Sequence, residues 1–198
     1  MKKFPTYAEF VKLFEKGTEQ EIIDAINSEI NVKGIIYDTT ALICAAGSNT
    51  PEVIEILLKA GSDVNAQDDY NNTALIYAAE KNTFEVVNLL LRAGADVNIK
   101  GDYEITALMM AIDQNTFDVV NLLLNVGADI NAKTDSGFTP LMFAVWNKKF
   151  EIIETLLKMG ADVKFVDMFG KKVIDYAHEI DEYKGTSILV KFEELSKI

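Results

Sequence analysis

The stretch LLRAGADVN, Leu90 to Asn98, decides how this chain is read, because the chain says it four times. LLKAGSDVN occupies 57–65, LLNVGADIN occupies 123–131 and LLKMGADVK occupies 156–164. The marker glycines Gly61, Gly94, Gly127 and Gly160 each follow the last by 33 residues. A second phrase keeps the same step: Thr40, Thr73, Thr106 and Thr139 open TALI, TALI, TALM and TPLM. Two independent phrases on one period define an internal repeat, and that period is read before any single residue.

Residues 68–100, DDYNNTALIYAAEKNTFEVVNLLLRAGADVNIK, show what one unit does. Thr73 is placed to cap a short helix, its hydroxyl oxygen meeting free N–H groups of the first turn. Ala74, Leu75, Ala78 and Ala79 give that helix a side of small and apolar residues, on which neighbouring helices approach closely. Asn82 ends it, since asparagine tolerates the left-handed conformation, and Asn49 and Asn115 hold equivalent places. Thr83 is read as the cap of a second helix with Glu85 in its first turn, and Thr50-Pro51-Glu52 and Thr116-Phe117-Asp118 repeat the pattern. Val86, Val87, Leu89, Leu90 and Leu91 form an apolar face too wide for one solvated helix. Gly94 stops it, and 95–105 lead through an extended, hairpin-like loop to the next unit. A lone helix pair of this kind cannot bury its apolar face; stacking does so, which is why the unit repeats.

At these residues the sequence resembles the ankyrin-repeat family, whose pattern is a hairpin, a Thr-Pro-Leu-His helix start, a leucine-bearing second helix and Gly-Ala-Asp-Val-Asn. Four units fit, 35–67, 68–100, 101–133 and 134–166. Residues 167–198 begin as a fifth (FGKKVIDYAHEI beside GFTPLMFAVWNK) and diverge. The resemblance implies an all-α fold, an α-solenoid of stacked helix-turn-helix repeats joined by β-hairpin-like loops, with 1–198 forming one domain. The family's histidine is replaced by Ile43, Ile76, Met109 and Met142, and its proline survives only as Pro140, so these sites are expected to pack as apolar ones. Residues 1–34 read as atypical capping helices. Thr6-Tyr-Ala-Glu9 and Thr18-Glu-Gln-Glu21 are capping boxes opening helices near 7–16 and 19–27. At the other end, DEYKG at 181–185 turns the chain into a last helix near 186–196.

The composition agrees with a folded domain: 198 residues, 49% apolar and 25% charged. Nothing approaches a membrane-spanning run, and Glu9 and Lys12 interrupt any signal-peptide core, so mature protein is expected. The single cysteine, Cys44, precludes an internal disulfide and suits a reducing, cytoplasmic setting. The formal net charge of −12 disfavours nucleic-acid binding and favours a basic partner.

Catalytic chemistry finds few candidates. His178 is the only histidine, and Cys44 falls in the series Cys44, Tyr77, Met110, Phe143, where small or large residues simply pack. Asp96, Asp129 and Asp162 recur with the joint and read as turn residues. Asp68-Asp69 lacks EF-hand spacing, and no metal, nucleotide or nucleophile motif occurs. No enzyme, cofactor or metal is therefore expected.

Binding is the better expectation, because a stack presents equivalent positions as rows. Ankyrin-family partners usually meet hairpin tips and first helices on the concave side. Carried onto this sequence, the tips hold Tyr37, Tyr70 and Tyr103, with Phe169 in the same place later, Ser136 interrupting and Phe138 nearby. Asp69, Asp102 and Asp135 precede the tip positions, while Glu80, Asp113 and Trp146 end the first helices. Acidic and aromatic residues together suit a basic or arginine-containing protein segment. The opposing expectation is that the tyrosines pack on neighbouring hairpins and Trp146 folds against the terminal unit. A monomeric protein-interaction module is thus expected, against two alternatives: an acidic inhibitor imitating nucleic acid, and an enzyme of unrecognised type.

Overall fold

Threonines start the short helices, and they do it with one recurring bond. The computed structural model describes residues 6–28, 39–48, 50–81, 84–114 and 117–197. Thr40, Thr73, Thr106 and Thr139 are buried, and each hydroxyl oxygen accepts the N–H three residues on, at 3.0, 3.4, 3.4 and 3.3 Å. They open α3 (Ala41–Ala46), α5 (Ala74–Lys81), α7 (Ala107–Asp113) and α9 (Pro140–Trp146). Each is followed by a second helix: α4 (Pro51–Lys59), α6 (Phe84–Arg92), α8 (Phe117–Asn125) and α10 (Phe150–Lys158). Before them lie α1 (Tyr7–Lys16) and α2 (Glu19–Asn27), and after them α11 (Val173–Glu179) and α12 (Ser187–Leu195). The β structure among the described residues is confined to isolated bridge residues such as the antiparallel pair Gln67 and Thr73.

The chain divides into two units, Met1–Asp102 and Tyr103–Ile198. In the first, α1, α3 and α5 pack side by side, and α2, α4 and α6 form a second row behind them. In the second, α7, α9 and α11 make the first row, α8 and α10 the second, and α12 packs on α11. Ala45, Ala46, Ala78, Ala79, Ala111 and Ala144 are fully buried in the first rows, where a larger side chain would hold the helices apart. Ile43, Ile76, Met109 and Met142, which replace the histidine of the family pattern, are buried as well, so those positions are apolar packing. The second helices bury Val86, Val87 and Leu90, or Val119, Val120, Leu123 and Leu124, while Leu89 and Leu91 of the face read from the sequence are only half-buried.

The joints follow one geometry. Gly61, Gly94, Gly127 and Gly160 have φ of 90°, 93°, 94° and 92°, left-handed values that a side chain strains. The next residue's N–H closes back on the helix: Ser62, Ala95, Ala128 and Ala161 donate to the carbonyls of Leu57, Leu90, Leu123 and Leu156 at 2.9–3.1 Å. This is the Schellman arrangement, and it leaves few helix-end carbonyls unpaired.

The ends carry both capping boxes. Thr6 N–H donates to the Glu9 carboxylate at 2.8 Å while Thr6 Oγ1 accepts Glu9 N–H at 3.3 Å, and Thr18 with Glu21 repeats both distances. Thr50 departs from the expectation. It occupies the N-cap position of α4 with Pro51 at the first helical place, but its side chain makes no cap hydrogen bond. The hydroxyl bonds to the Glu52 side chain instead, helping a backbone N–H to lower that carboxyl's pKa. The parallel caps Thr83 and Thr116, and the asparagines Asn49, Asn82 and Asn115, lie outside the described residues. Their counterpart one period later, Lys148, has φ of 58°, so the left-handed stop is present there on a lysine.

Candidate functional site

The repeated aspartates of the joints are consumed by their own turns. Asp63, Asp96, Asp129 and Asp162 each accept the N–H two residues on, at 2.8–3.0 Å. Two of the asparagines that end these phrases, Asn65 and Asn131, reach one repeat further. Asn65 Oδ1 accepts Asp96 N–H at 2.8 Å and its amide donates to Gly94 O at 3.3 Å, and Asn131 Oδ1 accepts Asp162 N–H at 2.9 Å. These groups are structural, and none converges on a reactive centre.

Two of the hairpin tips are built around a buried acid. Asp68 Oδ1 accepts the N–H groups of Tyr70 and Asn72, both at 2.9 Å, and Oδ2 accepts the Tyr77 hydroxyl at 2.8 Å. Three periods later Asp167 accepts from Phe169 and Lys171, both at 2.9 Å, and from the Tyr176 hydroxyl. Burial alone would raise the Asp167 carboxyl, but those three donors outweigh it and hold it below the usual carboxylate range. Burial first, then the neighbouring carboxylate, pushes the hydroxyls of Tyr77 and Tyr176 up to about 12. Buried acids therefore thrust Tyr70 and Phe169 outward, and both rings are exposed. Asp69 is exposed beside Tyr70. Asp102, the last residue of the first unit, is half-buried, and its N–H donates to Asn72 Oδ1 at 3.1 Å. Tyr37 lies outside the described residues.

Within the first unit, α1, α3 and α5 frame a groove of about 390 Å3 lined by Tyr7, Glu15, Cys44, Tyr70, Glu80 and Lys81, among others. Its acidity is partly compensated, since Lys81 Nζ lies 3.0 Å from the Glu80 carboxylate.

Within the second unit, a groove of about 460 Å3 gathers five of the eleven residues expected from the sequence: Tyr103, Asp113, Asp135, Phe138 and Trp146. Its remaining lining is Ile105, Thr134, Ser136, Phe143 and Asn147, and none of the ten is cationic. Tyr103 is set there by its φ of 53° and by the hydrogen bond from Asp135 N–H to its carbonyl, 3.1 Å long. Phe138 is held edge-on by Phe143, centroids 5.7 Å apart, and by Tyr176 at 5.2 Å. Trp146 meets Tyr176 at 5.8 Å and 82°, yet remains 58% exposed. Packing against the terminal helix pair anchors the indole without covering it. Tyr103 is 67% exposed. Asp113 ends α7 with its carboxylate accepting from Asn147 Nδ2 and Gln114 Nε2, each at 3.1 Å. Phe169, although exposed in the same unit, does not line this groove.

Phe143 and Asn147 escaped the sequence reading for different reasons. Phe143 belongs to the series Cys44, Tyr77, Met110, Phe143, which resembles packing until one sees that all four are only partly buried. Asn147 contacts Asp113 across 34 positions, one off the period, so no repeat signal marks it. His178 is exposed on α11, and Cys44 is half-buried with its sulfur 3.7 Å from the Thr39 hydroxyl. Among the described residues no three His, Cys, Asp or Glu side chains are grouped to hold a metal ion. Nor is any described helix long and apolar enough to cross a membrane.

A family model described as ankyrin repeats (3 copies) matches residues 7–101 and 99–167. No curated protein matches the chain.

Proposed function

The chain belongs to the ankyrin-repeat family, whose repeats generally serve as protein–protein interaction modules, and from that premise we propose that it binds a basic partner protein without catalysis. The observation that carries the reading is the groove of 103–147. Four aromatic residues and two carboxylates line it with no cation among them, in a chain whose net charge is −12. Charge complementarity of this kind steers a basic partner in and rejects phosphate backbones. Exposed tryptophan and tyrosine supply the contact area on which interface energy concentrates. Phe169 is proposed to extend the contact within the second unit, and Tyr70 and Asp69 are proposed as contact residues of the first unit. A monomer in the cytoplasm is part of the same proposal, and the single cysteine fits a reducing compartment.

Equal-length synthetic peptides, basic, neutral and acidic, titrated against the chain at physiological salt would test this, with Trp146 as the only tryptophan to report. Basic peptides are expected to bind and to change its emission. Tyr103→Ala with Trp146→Ala should leave the melting curve nearly unchanged and weaken binding, followed by calorimetry, by roughly 2 kcal/mol or more. Glu85→Ala with Asn88→Ala on α6 should bind as wild type. Loss of binding in that control, with retention in the aromatic double variant, would place the interface elsewhere. Displacement of the basic peptide by duplex DNA would instead favour an acidic mimic of nucleic acid.

A further inference from the structure

We propose that the groove of 103–147 is a subsite for one arginine side chain of the partner, recognised as a guanidinium rather than as a generic positive charge; this rests on the interaction-module reading above. A guanidinium needs an aromatic face to stack on and acceptors at its rim. An ammonium needs only nearby charge and gives up a stronger hydration shell to enter.

The groove supplies both requirements. Phe138 is fixed between Phe143 and Tyr176, and Trp146 is anchored by Tyr176, so the walls are ordered before any ligand arrives. The rim carries Asp113 and Asp135, both exposed, and among the described residues no lysine or arginine pairs with either. Three of the unit's cations are engaged elsewhere: Lys148 with Glu182, Lys171 with Glu179, and Lys133 over the Phe165 ring at 3.7 Å. Asp113 is oriented by the amides of Asn147 and Gln114, each taking one acceptor site at 3.1 Å. A carboxylate has about four such sites, so it keeps capacity for a forked donor.

A cation already lies beside the supporting ring, although it is paired with Glu179. Lys171 Nζ stands 5.2 Å from the centroid of the Tyr176 ring, the ring that supports both Phe138 and Trp146. Tyr176 is buried at its hydroxyl end against Asp167, so its other neighbours, Trp146 and Phe138, carry the open side of the cluster. A volume of about 460 Å3 admits an arginine side chain together with the backbone that bears it.

The full-length chain can be titrated with three small probes, N-acetyl-arginine amide, N-acetyl-lysine amide and N-acetyl-citrulline amide. Citrulline keeps the shape of arginine and lacks its charge. The readout is the indole N–H signal of Trp146 by nuclear magnetic resonance, unambiguous because the chain has one tryptophan. The arginine probe is expected to shift that signal and to bind at least about fivefold more tightly than either other probe. Asp113→Asn should bring its affinity down to the citrulline level, and Asp135→Asn should weaken it in the same direction. Glu154→Gln on α10, which removes the same charge away from the groove, should change nothing. Equal binding of the arginine and lysine probes overturns the subsite and leaves the basic-partner reading intact. So does an unmoved indole signal in a chain that still binds a basic peptide. If neither the probes nor any basic peptide bind, both readings fall together.

Discussion

At the scale of single residues, backbone conformation is what the repeating phrases encode. Gly94 and Gly127 have φ of 93° and 94°, and a Cβ added at either would meet nothing within 4 Å. The demand for glycine is therefore conformational and not steric. Gly94→Ala is expected to destabilise by about 1 kcal/mol, measured by urea unfolding, since alanine strains a left-handed position. Lys148 is the converse case: a side chain at φ 58°, ending α9 through Lys149 N–H to Ala144 O at 2.8 Å. Lys148→Gly should gain several tenths of a kcal/mol to about 1 kcal/mol. The surface ion pair with Glu182 that it sacrifices is worth little. Stability unchanged at both sites would mean that the joints tolerate ordinary residues.

At the scale of an element, the hairpin tip is an acid-centred device. Asp167 gathers two backbone N–H groups and the Tyr176 hydroxyl, and Tyr176 in turn supports the groove's aromatic wall. Tyr176→Phe keeps the ring and removes the hydroxyl, so a loss of roughly 1.5–3 kcal/mol is expected, the range for a hydrogen bond to a charged group. The pH dependence has a definite sign. The Asp167 carboxyl lies below its ordinary value of 3.8 when folded, so its stabilisation is present above that pH and is lost as pH falls beneath it. The Tyr176 hydroxyl is raised from 10.0 to about 12, so its contribution is present below pH 10 and is lost as pH climbs to 12. Melting curves across pH should show both limbs in wild type and a shallower alkaline limb in Tyr176→Phe. Identical alkaline limbs would separate the hydroxyl from the stability of the tip.

At the scale of the whole molecule, stability is a sum over units and their neighbours. The helices of Met1–Asp102 find their partners within that unit. Truncation after residue 133 should therefore lower the urea midpoint, because α7 loses its packing on α9, while leaving the helical circular dichroism of the first unit in place. Complete loss of helicity would show that folding is all-or-none across the chain.

The sequence by itself determined the period, the helix pairs and the caps, because those depend on local rules: threonine before a helix, glycine after it, and apolar residues at helical spacing. Thr6, Thr18 and the four joint glycines were legible for that reason, and the tip residues were legible as a row because equivalent places recur. Tertiary structure alone decided which of those residues share a concavity. Tyr103, Asp113, Asp135, Phe138 and Trp146 come together because two hairpin tips and two stacked helices converge, and Asn147 joins them off the period. The same level of structure buries Asp68 and Asp167 and makes them the acids that set two of the tips. Local propensity acts over a few residues of chain; a groove and a buried carboxylate's partners belong to surfaces that meet only after the repeats have stacked.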